Sequence, residues 1–72
     1  MKWWPFKTST YDSEYERGRK EANAYWLKHD YDDCVKQTNH AECDRSFCEG
    51  VMRGFPNGWL DAMRENGVLT NV

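Results

Sequence analysis

Aromatic and small residues recur along this chain at alternating spacings of three and four: Tyr15-Gly18-Ala22, Phe47-Gly50-Gly54 and Phe55-Gly58-Ala62. On a helix such positions fall on one stripe, where glycine and alanine let a second helix approach closely beside an aromatic plug. The longest stripe is Tyr11, Tyr15, Gly18, Ala22, Tyr25 and His29, with Trp26 flanking it. Asp12, Glu14 and Glu16 near its start and Lys28 near its end complement a helix dipole, so the pattern predicts a helix over 12–29. Ser9 with Asp12 and Ser13 with Glu16 both have capping-box spacing at its N-terminus.

Asn39 followed by Glu42 has the same spacing and predicts a second helix over 40–54, with His40, Cys43, Phe47, Gly50 and Gly54 on its stripe. Between the two, Asp30-Tyr31-Asp32-Asp33 closes the first helix and starts a short helical turn through Cys34 and Val35. Pro56 lacks an amide hydrogen, its ring strikes the carbonyl of Met52, and it pushes Phe55 out of helical geometry, so the second helix ends near Arg53 or Gly54. A third helix follows over 57–66 with Trp59, Ala62 and Met63 inward, and Gly67-Val68 reads as a Schellman stop. Residues 1–8 read as an extended aromatic arm, Trp3, Trp4 and Phe6 around Pro5, that lies across the helices as a lid or docks in a partner's groove. The expected fold is a single all-α domain: a small antiparallel helical hairpin (12–29 with 40–54) closed by the third short helix.

Length makes every large side chain matter. A chain of 72 residues has little core, and its 15% aromatic content offers the area that a few layers need. Homodimerisation through Gly18 and Ala22 would be another way to complete that core. A net charge of -2 argues against a direct nucleic-acid binder, which carries a basic face. No apolar stretch suits a signal peptide or a membrane span, and three cysteines, an odd number, read as reduced thiols; the expected location is the cytoplasm. Charge is uneven: between residues 30 and 49, Asp30, Asp32, Asp33, Glu42, Asp44 and Glu49 face only Lys36 and Arg45.

Cys34, His40, Cys43 and Cys48 have zinc-ligand identities, but there is no Cys-x-x-Cys knuckle, and Cys43 and Cys48 point about 140° apart on a continuous helix. Cys34, His29 and Asp30 offer the residue types of a nucleophile, a base and an orienting acid, in a chain too short to bury a substrate pocket. The expectation is no catalytic residue, no metal and no cofactor.

The segments Glu16-Arg17-Gly18-Arg19-Lys20-Glu21-Ala22 and Gly58-Trp59-Leu60-Asp61-Ala62-Met63 resemble ribosome modulation factor and related short helical proteins. That family pairs a Gly-x-x-x-small first helix with a Gly-Trp-x-x-Ala-Met second one. The resemblance covers about a dozen positions; this chain lacks the family's Cys-Pro-Tyr element, has a longer spacer and is acidic. It implies helices packed through Gly and Trp and carries over no ribosome-binding residue.

By elimination, the chain reads as a non-enzymatic, small protein-binding inhibitor or modulator of a larger host complex. It would be of the type that phages and mobile elements direct at defence systems, anti-CRISPR proteins among them. Its expected partner is a protein or nucleoprotein complex with a basic surface, met by Asp30, Tyr31, Asp32, Asp33, Glu42, Asp44 and Glu49, with Trp3, Trp4 and Phe6 as apolar anchors. The alternatives are a ribosome- or RNA-associated modulation factor, for which Arg17, Arg19 and Lys20 are the basic candidates, and a zinc-stabilised mini-domain.

Overall fold

The computed structural model describes residues 9–69, and within them the chain is all-α: α1 (Tyr11–Lys28), α2 (Tyr31–Phe47), a 3-10 turn over Gly50–Arg53, and α3 (Gly54–Glu65). The arm at residues 1–8 lies outside the described residues. α1 starts one residue before the predicted helix, but its cap is neither Ser9 nor Ser13. Thr10 is the cap: its hydroxyl accepts the Ser13 N–H at 3.1 Å, and the Ser13 hydroxyl accepts the Thr10 N–H at 2.9 Å. Serine thus takes the returning role that glutamate usually plays in the box.

The second helix differs most from expectation. It begins at Tyr31, because the Asp30 carboxylate accepts the Asp33 N–H at 2.9 Å and nothing between 31 and 47 breaks the helix, there being no glycine or proline in that stretch. Asn39, expected as its cap, lies in mid-helix. At the other end Gly50 takes a φ of +57°, so no helix spans 40–54. Gly54 opens α3 instead, which places Pro56 in the first turn of that helix, where its missing N–H has no intrahelical partner to lose. The predicted stop of α3 is present: Gly67 has a φ of +83°, its N–H reaches the Arg64 carbonyl at 3.1 Å, and the Val68 N–H reaches Met63 at 2.9 Å.

The closest pairing is between α1 and α3, and it is parallel. Tyr11 with Asn57, Tyr15 with Asp61 and Arg19 with Glu65 are all bonded at a constant separation of 46 residues. Glycine makes this possible. A Cβ on Gly18 would overlap the Phe55 carbonyl oxygen, one on Gly58 the Tyr15 carbonyl oxygen, and one on Gly54 the Tyr11 carbonyl oxygen. The first and third aromatic–glycine motifs therefore interlock, with Ala22 and Ala62 both fully buried. Gly18 and Ala22 are occupied within the chain, which closes the dimer route expected through them.

α2 runs antiparallel to α3, and hence to α1, because its later residues approach the start of α3. Thr38 meets Trp59, while Ala41 and Asp44 share a cleft with Phe55 and Pro56. The short link His29-Asp30 turns the chain between α1 and α2, yet those helices barely touch; α3 lies against both. Cys34, Ala41, Trp59, Leu60, Met63 and Val68 form most of the core, with Met63 fully covered. The predicted inner face of α3, Trp59, Ala62 and Met63, is the observed one.

Gly18→Ala and Gly58→Ala are expected to lower stability by about 1–3 kcal/mol, reversing the gain of about 1 kcal/mol that alanine brings to an isolated helix. Urea denaturation followed by circular dichroism checks this; variants as stable as the parent would mean that the two backbones do not touch.

Candidate protein-binding surface

α2 buries one side only. Cys34, Thr38 and Ala41 turn toward α3, where the Thr38 hydroxyl donates to the Cys34 carbonyl at 2.7 Å and accepts the Trp59 indole N–H at 3.3 Å. The Cys34 thiol donates to the His29 carbonyl at 3.9 Å. Burial first, then the nearby Asp30 and Asp33 carboxylates, push its pKa up and keep it protonated. His29 stacks on Tyr25 with ring centres 3.8 Å apart and its Nδ1 lies 3.8 Å from Asp33.

His40, Cys43 and Phe47 face solvent, and Phe47 is 84% exposed. This is the stripe that the sequence pattern assigned to the inside of a hairpin. Cys43 lies two residues, about 200°, round the helix from Ala41, so burying the Cys34-Thr38-Ala41 side turns the stripe outward. Among the described residues no three His, Cys, Asp or Glu side chains are grouped to hold a metal ion; Cys34 is buried and Cys43 exposed.

The expected acidic contacts are distributed along α2 and its end. Asp30 is occupied as the helix cap and Asp33 leans on His29. Asp32, Glu42, Asp44 and Glu49 are exposed and form no ion pair with a described residue, and Tyr31 is half-exposed. Glu42 and Asp44 lie about 200° apart on the helix, and Glu49 falls beyond it. They therefore surround the free side of α2 without forming one flat face. Trp3, Trp4 and Phe6 lie outside the described residues.

Two of the three basic candidates on α1 are engaged with other side chains of the protein. Arg17 lies 4.8 Å above the Phe55 ring and 3.2 Å from Glu14, while Arg19 donates to both oxygens of Glu65, at 3.0 and 2.8 Å. That double bond to Arg19 holds the Glu65 carboxyl below its ordinary value of 4.5. Tyr15 donates to Asp61, and this bond, with burial second, raises the pKa of the phenol. Lys20 alone of the three is exposed without an ion pair to a described residue.

Pattern reading missed a cleft between α2 and α3. Gln37, His40 and Asp44 line one side, Phe55, Pro56 and Trp59 the other, around a cavity of about 90 Å³. Its signal was present as Gln37-Ala41-Asp44 at helical spacing, but became visible only once α2 was known to begin at Tyr31. Val51 and Met52, both exposed in the 3-10 turn after Phe47, were also missed as surface. No helix among the described residues is long and apolar enough to cross a membrane. Comparison with protein-family models, curated proteins and solved structures found no match.

Two measurements check this geometry. Thiol labelling of the folded protein is expected to modify Cys43 quickly and Cys34 only after denaturant is added; equal rates would contradict the orientation of α2. Because Glu65 has a lower pKa folded than unfolded, its contribution is present above about pH 4.5 and is lost as pH falls through the folded value. Arg19→Met should therefore flatten the acid limb of a stability–pH curve, by a small amount because the pair is exposed.

Proposed function

We propose that this protein is a non-enzymatic binding module: a small cytoplasmic modulator that occupies a basic surface of a larger protein or nucleoprotein complex. Inhibitors that phages and mobile elements direct at host complexes work in this way. The observation that carries the reading is the free side of α2, where Phe47 stands 84% exposed at the helix end and Asp32, Glu42 and Asp44 form no ion pair with a described residue. Apolar surface of this kind is costly in water, and an exposed aromatic is a common anchor of a protein interface. Val51 and Met52 extend the apolar surface beyond the helix end. The carboxylates would steer association toward a basic partner and make it salt-sensitive.

The ribosome-associated alternative draws less support, since Arg17 and Arg19 are engaged within the chain and only Lys20 of that group is unpaired among described residues. The test is affinity capture from a bacterial lysate at low and high salt, with the parent compared against two variants. One carries Asp32→Lys, Glu42→Lys and Glu49→Lys together; the other is Phe47→Ala. Asp30 and Asp33 are left intact because losing the α2 cap costs about 1 kcal/mol and would blur the result. A stoichiometric, salt-sensitive complex weakened at least about tenfold in both variants, with unchanged circular dichroism, is the expected result. Equal capture by the charge-reversed protein overturns the reading, and recovery of ribosomal proteins with RNA, lost in Lys20→Ala, replaces it with the alternative.

A further inference from the structure

We propose that the cleft between α2 and α3 is a receptor for one cationic side chain, an arginine presented by the protein partner. The inference rests on the binding-module reading above and names the chemistry by which that partner is gripped. The floor is aromatic and pre-set. Phe55 and Trp59 lie with ring centres 6.5 Å apart and planes 30° from parallel, and Trp59 is held by its indole bond to Thr38. Pro56 and Ala41, both buried, also line it. Asp44, exposed on α2, also lines the cleft, with His40 about one helical turn before it and Gln37 about two turns before it along the same flank.

Each part selects for the same group. An aromatic floor attracts a flat cation through its ring faces, and a guanidinium also presents a fork of N–H donors that one carboxylate can accept. Asp44 makes no ion pair with any described residue, so its charge is available at the rim. A leucine in the same place would cover that carboxylate without giving it a partner, which costs free energy. The volume also suits: a cavity of about 90 Å³ holds about three waters at ~30 Å³ each, the scale of a guanidinium head group and well short of a folded loop. Phe55 already accepts a guanidinium from within the chain, with Arg17 seated 4.8 Å over its ring from α1. The cleft offers the same chemistry, open to solvent and with a carboxylate added.

The test needs no partner. Isotope-labelled protein is titrated with N-acetyl-Gly-Arg-Gly-amide and with the peptides carrying Gln or Leu in place of Arg, following the Trp59 indole N–H and the backbone amides of Ala41, Asp44 and Phe55 by NMR. The arginine peptide is expected to give saturable shifts confined to these signals. Affinity should fall at least about fivefold for the glutamine peptide and for Asp44→Asn, while Glu42→Gln, on the far side of α2, leaves it unchanged. Shifts of equal size with the leucine peptide would make the cleft an apolar pocket and overturn the proposal, as would no saturation at about tens of millimolar. Failure here with intact complex capture removes the arginine site and leaves the binding module standing. Arginine binding without any captured complex does the reverse.

Discussion

Two helices that touch backbone to backbone leave no room for a side chain between them, and the rest of this protein is arranged around such a contact between α1 and α3. Gly18, Gly54 and Gly58 lie where a methyl group would overlap a carbonyl oxygen of the opposite helix. The approach brings Tyr15 to Asp61 and Arg19 to Glu65, so a row of polar bonds runs along the solvent side of the seam. It also makes glycine and alanine the fully covered residues along much of that seam. The larger apolar side chains of α3, Trp59, Leu60 and Met63, are instead part of the core that includes Cys34 and Ala41 of α2. The core is small because the tightest interface in the molecule is made of main chain.

That arrangement explains which parts of the fold could be read from residues alone. A glycine inside a helix lowers its stability, so Gly18 and Gly58 at stripe positions signal a close contact, and Tyr15-Gly18-Ala22 and Phe55-Gly58-Ala62 meet as that signal implies. Partner choice was not legible, since three copies of one motif carry no information on which two pair. Phe47-Gly50-Gly54 is the copy left over: Phe47 ends α2, Gly50 turns left-handed, and Gly54 joins α3. The start of α2 was ambiguous for a similar reason. Asp30 and Asn39 have equally good capping spacing, and the choice between them was settled by the inward side of α2, Cys34, Thr38 and Ala41, which has no aromatic residue to announce it.

The surface follows the same division. α1 and α3 engage their charges locally, with Arg19–Glu65 joining the two helices, Arg17–Glu14 within α1 and Arg64–Asp61 within α3, whereas most of α2's carboxylates remain open to solvent. The concentration of acid between residues 30 and 49 was plain in the sequence, but its form was not. A run of carboxylates on a helix buried on one side spreads around the other sides, and Glu42 and Asp44 end up on different flanks. Only Asp44 thereby comes to stand over the aromatic floor formed by Phe55 and Trp59. The composition announced a charge; the rotation of one helix decided what that charge overlooks.

The register of 46 residues between α1 and α3 also bears on how the chain is made. During synthesis α1 emerges before α2 and α3, with its glycine stripe not yet met by the described helix that covers it. α2 follows and supplies little, because it scarcely meets α1. Only when α3 emerges do both earlier helices acquire their partner, so folding awaits a contact that is distant in sequence. Until that moment neither of the two longer helices has its main partner, and the shortest of the three described helices sets the time at which they acquire it.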